Sequence, residues 1–291
     1  DRTIVTLSLV SFFSLFFFIW RQLTYKYPIV NLKVLKDTNL RVGTILSFIM
    51  GFGLYGSTFI IPIYTQSILG WTATDAGLLL IPSSLMTAFM MPIIGQLLQK
   101  GVPQKYLVAL GFLMFFFFTF WMYNVMTPDT GEEYMYWPLI IRGLGLGLLF
   151  VPITTLSLST LKGKSIGEGA AFTGMMRQLG GSFGIAIITT FIARFSQEHR
   201  MNLIANIDAT KTQVQDRITQ LQHGFMAKGF SSNEALDKAH KIIDFSVNKQ
   251  SAVLSYMDIF LYLGILFLVC IPIILLIKNN KNKVDISEAM H

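Results

Sequence analysis

The sequence predicts an all-α membrane protein that crosses the bilayer seven times. Three observations predict it. Hydrophobic residues make up 53% of the 291 positions and charged residues 13%, against roughly a quarter charged in an ordinary soluble domain. Seven apolar runs approach or exceed the ~20 residues of helix that a hydrocarbon core requires. Lysine and arginine gather at every second boundary between those runs, as the positive-inside rule expects of an alternating topology.

The runs fall near 3–20, 42–65, 76–98, 106–125, 136–159, 170–193 and 253–277. The first, TIVTLSLVSFFSLFFFIW, is apolar throughout and stops at Arg21. The second and third contain Gly51, Pro62 and Pro92, which weaken a soluble helix but are tolerated in packed membrane helices. The fourth holds FFFF at 115–118, which covers every face of one turn and reads as lipid-facing bulk. In the fifth, YWPLIIRGLGLGLLFVP (136–152), a single arginine stands among aliphatics, aromatics and glycines. The sixth contains GGSFG (180–184), whose Gly180 and Gly184 form a small-xxx-small pair that lets helix backbones approach closely. Pro272 and the single cysteine, Cys270, lie in the seventh.

Basic residues follow the first helix (Arg21, Lys26, Lys33, Lys36, Arg41), the third (Lys100, Lys105), the fifth (Lys162, Lys164) and the seventh (Lys278, Lys281, Lys283). The loops 67–77 and 124–137 carry none, which puts the basic set and the carboxyl tail in the cytoplasm. A net charge of +7 then needs only anionic lipid as its partner, and no aromatic-interleaved basic patch points to nucleic acid.

Catalysis finds no support. GGSFG fits the G-x-S-x-G nucleophile pattern but lies inside a membrane helix rather than on a strand-to-helix turn. GLGLG (143–147) lacks the strand, full spacing and downstream acid of a dinucleotide site. One cysteine excludes an internal disulfide, and His199, His223, His240 and His291 are scattered without metal-ligand spacing. No metal, cofactor or enzymatic activity is expected. The chain begins Asp-Arg-Thr, with no initiator methionine or signal-peptide pattern, as a piece of a longer protein would.

Four stretches carry a family resemblance: YPIVNLKVLKDTNLRVG (27–43), GWTATDAGLLLIP (70–82), MPIIGQLLQKG (91–101) and MMRQLGGSFGIAI (175–187). In order and spacing they resemble the fourteen-helix drug/proton antiporters of the major facilitator superfamily, the EmrB and QacA type. The resemblance covers nearly the whole chain and is to the carboxyl half of such a protein. It implies an extra central transmembrane helix over 1–20, a cytoplasmic linker over 21–41, a C-terminal six-helix bundle over 42–277 and a cytoplasmic tail over 278–291. In the echo of the family's charged loop, GQLLQKGVPQK (95–105), Gln99 stands where an acid would, so lipid-facing charge is the plainer reading of that loop.

What the resemblance implies is alternating access: two six-helix bundles rock about a central site in a bacterial inner membrane and exchange an amphipathic drug-like compound for protons. The coupling ion would be the proton, and the amino half of the same transporter the first partner. Export of an endogenous metabolite or peptide, or a scaffold or sensor that has lost transport, are the other functions compatible with the sequence.

In the family fold the helices at 42–65 and 136–159 line the cavity. Ser47, Gly51, Tyr55, Thr58, Pro62 and Gln66 recur at helical spacing on the first and form either a packing seam or a cavity lining. Met50, Tyr55, Thr58, Gln66, Arg142 and Phe150 are the expected cavity residues, with Met86, Met90 and Met91 as adaptable lining or core filler. Arg142 lies six residues from Tyr136, about 9 Å deep at 1.5 Å per residue. An arginine in hydrocarbon costs at least ~2.5 kcal/mol on insertion scales, so it either faces the cavity or snorkels to the outer headgroups. Asp258, at similar depth, is expected near the outer interface rather than paired with Arg142. Arg177, in from the cytoplasmic end of its helix, has a structural or gating role.

The stretch 196–250 carries two amphipathic patterns, Val214, Ile218, Leu221 and Phe225, then Leu236, Ala239, Ile243 and Val247. Gly229 ends the first, and Ser231 with Glu234 caps the second, which predicts an extracytoplasmic helical hairpin. It either rests on the bundle as a lid or, as the resemblance implies, helps dock a periplasmic adaptor.

Overall fold

The computed structural model describes residues 2–24, 35–207 and 211–275. Residues 25–34 of the linker predicted over 21–41, and the whole tail over 278–291, lie outside the described residues. The described helices are α1 (Arg2–Thr24), α2 (Thr38–Ser67), α3 (Ala73–Leu78), α4 (Ile81–Gln99), α5 (Gln104–Val125), α6 (Glu133–Leu158), α7 (Lys164–Asn206), α8 (Thr212–Met226) and α9 (Ser232–Leu275). Counting α3 with α4, seven helical segments among the described residues are long and apolar enough to cross a membrane.

Local chemistry explains where the helices begin. Asp37 caps α2, its Oδ1 accepting from the backbone N–H groups of Asn39 and Leu40, both at 2.9 Å. Thr72 and Asp75 form a capping box on α3. The third predicted span is broken at Leu79 and Leu80 because Pro82, without an N–H, restarts the chain as the first turn of α4. Gly229, at φ 92°, takes the left-handed turn after α8 that a side chain resists. Ser231 then caps α9, its hydroxyl donating to Glu234 at 2.7 Å.

The hydrophobic core lies where α2, α5, α6 and α9 meet. Phe115 packs at a tilt of 44° against Phe267 with ring centroids 4.4 Å apart, Phe112 lies 5.3 Å from the same ring, and Phe118 meets Phe260 edge-on at 5.8 Å. These rings are inaccessible to solvent. Reading 115–118 as lipid-facing bulk therefore needs correction: a four-residue run covers the whole circumference, so Phe115 and Phe118 turn inward while Phe117 stays exposed. By contrast α1 exposes nearly its whole apolar surface, from Val5 to Trp20, as suits a helix in lipid.

Glycines set the helix separations. A Cβ at Gly51 would overlap the carbonyl of Arg177, and one at Gly180 would overlap that of Phe48, so α2 and α7 touch backbone to backbone. Gly184 rests on Phe52 in the same seam. The glycines of GLGLG serve two neighbours: Gly143 and Gly147 admit Ser83, Met86 and Met90 of α4, while Gly145 faces Gly111 and Met114 of α5.

Two helices run past their predicted ends. The sixth span, expected over 170–193, extends in α7 to Asn206, and the seventh, expected from 253, begins in α9 at Ser232. No glycine or proline interrupts 194–206 or 232–252, so nothing stops the helical hydrogen bonding. At 1.5 Å per residue each helix is about 65 Å long, roughly twice a ~30 Å hydrocarbon core. The hairpin is thus α8 folded back on the first half of α9, which buries Ala235, Ala239 and Val247, beside the last turns of α7.

Candidate functional site

Two arginines in the membrane-spanning segments converge on α2. Arg142, near the middle of α6, is only 4% exposed. Its Nε donates to Ser57 Oγ and one terminal nitrogen to Ser83 Oγ, each at 3.0 Å. The other terminal nitrogen donates to the Leu54 carbonyl at 3.3 Å and to the Thr58 hydroxyl. One side chain thereby ties α6 to both α2 and α4. The acceptors are available because Ser57 and Thr58 direct their own hydroxyl protons back along α2, to Gly53 O and Leu54 O at 2.7 Å. All four partners are neutral, so the charge is held by dipoles alone.

Arg142 is expected from the sequence either to face a cavity or to snorkel to the outer headgroups; among the described residues its guanidinium is enclosed between α2, α4 and α6. Hydroxyls from two neighbouring helices lie within reach at its own depth, and bonding to them removes the need to reach water. Met50, also expected to line a cavity, is 1% exposed and belongs to the core. It points inward because it follows Leu46 by four residues on the packed face of α2.

Arg177 differs from Arg142. It is half-buried on α7, and its guanidinium lies over the ring of Phe150 of α6, 4.5 Å from the centroid. Tyr55 of α2 lies in the same corner: its ring packs against Gly181, one turn beyond Arg177, and its hydroxyl donates to Gln178 Oε1 at 2.9 Å. Tyr55, Thr58 and Phe150 are partly accessible and Gln66 is exposed at the far end of α2. Ser47 and Gly51 of the same stripe are buried, Gly51 directly against the Arg177 backbone, so this part of the stripe is a packing seam. Met86 and Met90 pack on the α6 glycines.

Asp258 does not meet Arg142. Its Oδ2 lies 2.7 Å from His199 Nε2, joining α9 to α7. The next residue of α7, Arg200, donates to Asn248 at 2.7 Å and to Asp244 at 2.8 Å. The pairing partners Ser57, Ser83 and His199 were not singled out in the sequence. For the serines the available signal was depth: a buried arginine requires acceptors at its own level on adjacent helices. His199 lies in α7 only because that helix continues past its predicted end.

A family model for the Major Facilitator Superfamily matches residues 3–185. Among curated proteins, the chain is 31% identical over 277 residues to the fatty acid resistance protein FarB of Neisseria gonorrhoeae, covering 94% of this chain and 52% of that protein. It is 26% identical over 274 residues to the multidrug export protein EmrB of Escherichia coli, with the same coverage of 94% and 52%. To the colistin resistance protein EmrB of Acinetobacter baumannii it is 23% identical over 253 residues, covering 87% of this chain and 48% of that protein. The chain spans about half the length of the curated relatives it matches. Matched over most of its helical bundle, this multi-pass membrane chain belongs to the Major Facilitator Superfamily.

Proposed function

We propose that the chain is the carboxyl half of a proton-coupled efflux transporter of a bacterial inner membrane, exporting amphipathic small molecules by alternating access. The observation that carries this reading is the pair of arginines at the middle of α2, one locked and one partly open, within a bundle of glycine-packed helices. Substrate sites of such folds lie near the bilayer midplane between repeats. The names of the relatives, for resistance to fatty acids and colistin and for export of many drugs, support an amphipathic cargo.

In this reading α2 and α6 form one wall of the cavity and the other half of the transporter forms the rest. The stretches 38–67, 76–125, 134–158, 169–197 and 259–275 contain no aspartate or glutamate. Asp258 is the one acid inside the predicted membrane runs and is engaged by His199, so this reading assigns the coupling acid to the other half and needs no cofactor. Ser67, Thr72 and the 126–132 loop mark the outer end, and the hairpin of α8 and α9 projects beyond it to meet a periplasmic adaptor.

Vesicles containing the full-length protein test the proposal. An imposed proton gradient should drive efflux of a fluorescent amphipathic dye, and a protonophore should abolish it. Dye movement that ignores the gradient would remove proton coupling, and no movement at all would leave the scaffold reading.

A further inference from the structure

We propose that the corner formed by Arg177, Phe150, Tyr55 and Gln178 is a subsite for the anionic head group of an amphipathic substrate, a carboxylate above all. This deepens the transporter reading and rests on it. Charge balance is the first argument. The predicted membrane runs hold one carboxylate, Asp258, which is engaged by His199, whereas Arg142 and Arg177 lie deep in their helices without an acid beside them. A cationic cargo would meet repulsion at these arginines and find the one carboxylate of the membrane runs, Asp258, already engaged.

The second argument is which arginine is free. Arg142 spends its donors on Ser57, Ser83, Leu54 and Thr58 and is closed to any ligand. Among the described residues, no carboxylate or hydrogen-bond acceptor meets the Arg177 guanidinium, which only lies against the Phe150 ring and remains partly accessible. A guanidinium held over an aromatic face makes no hydrogen bond to it, so its donors stay available for two-point contact with a carboxylate. Gln178, its neighbour, accepts from Tyr55 through Oε1, and among the described residues its amide N–H groups have no partner.

Position is the third. The middle of α2 falls at Phe52 and Gly53. Arg177 abuts Gly51 and lies beside Tyr55, while Arg142 bonds at 54–58. The two contacts are centred within about 5 Å of each other along the axis, less than one turn. The locked arginine thus supplies fixed positive charge at about the same level of α2 as the open one, in low dielectric, where charge pairing is strongest. The rings of Phe150 and Tyr55 provide apolar surface for the chain that follows the head group.

A carboxylate reaching Arg177 can come from the substrate or from the other half of the transporter, and the test separates them. Full-length protein in lipid nanodiscs is titrated with radiolabelled decanoate and with decyltrimethylammonium, counting only label displaced by excess unlabelled probe. The wild type should bind the anion about tenfold more tightly than the cation, the scale of one charge-assisted hydrogen-bond pair. Arg177→Gln should erase that ratio, and Arg177→Lys, which also checks that the site still folds, should keep part of it. An absent preference, or one that survives Arg177→Gln, overturns the proposal. Equal weakening of both probes also overturns it and assigns the Arg177 partner to a carboxylate elsewhere in the chain. Proton-driven export of dye with no decanoate preference sinks the anion subsite alone, whereas a decanoate preference without proton-driven export sinks the transporter reading.

Discussion

Removing one acceptor from Arg142 should harm the fold more than removing the arginine. Ser83 is fully buried and accepts one guanidinium bond at 3.0 Å. Ser83→Ala leaves a charged donor facing a methyl group in a site that water does not reach, at a cost of about 1–3 kcal/mol, toward the upper end because the donor is ionised. Arg142→Met deletes four donated bonds, but it also deletes the desolvation cost of the ion, which is several kcal/mol. Ser57 and Thr58 keep their own bonds to Gly53 O and Leu54 O. The methionine variant should therefore stay within about 2 kcal/mol of the wild type. Combining the two should cost less than their sum, with a coupling of about 1–3 kcal/mol. Denaturant or thermal unfolding of the purified full-length protein in lipid measures all four corners of the cycle. If Ser83→Ala is neutral while Arg142→Met unfolds the protein, the charge is being stabilised by something other than these hydroxyls and the reasoning fails.

Three further outcomes are expected. Gly51→Ala pushes a methyl into the Arg177 carbonyl and should destabilise by about 1–3 kcal/mol, whereas Gly174→Ala meets nothing within 4 Å and should be neutral or stabilising in the same unfolding assay. Cysteines introduced at Thr72 and Gly131 should react with an impermeant thiol reagent added outside cells and one at Gly163 should not; the reverse pattern would invert the topology. Replacing 200–248 by a short flexible linker keeps His199 and Asp258 and should preserve insertion while reducing co-purification of a periplasmic adaptor; unchanged adaptor binding would leave the hairpin as a lid.

The number and order of the membrane helices were legible because hydrophobic run length is a local property. The ends of α7 and α9 were not. Residues 194–206 and 232–252 are polar enough to lie outside lipid, and hydropathy reports where the membrane stops rather than where the helix does. Capping residues and breakers report the latter: Gly229 and Ser231 placed the start of α9 correctly, while the absence of any breaker before Val253 was the overlooked sign that the hairpin and the last membrane helix are one piece.

The site was legible in its residues and not in their neighbours. Arg142 was marked by its depth alone, because a cation in hydrocarbon has to be satisfied somewhere. Which groups satisfy it depends on the rotation of α2 and α4 about their axes, and periodicity leaves that rotation open on helices apolar nearly all round, such as α4 with its many exposed aliphatics. The glycines carried the missing information. Gly143 and Gly147 face α4, and Gly51 and Gly180 face each other's helices across α2 and α7. Once those faces are fixed, Ser83 and Ser57 must turn toward Arg142, and Tyr55 must turn toward Gly181 and Gln178. Pairing small-residue faces first and polar residues second would have placed both arginines from the sequence.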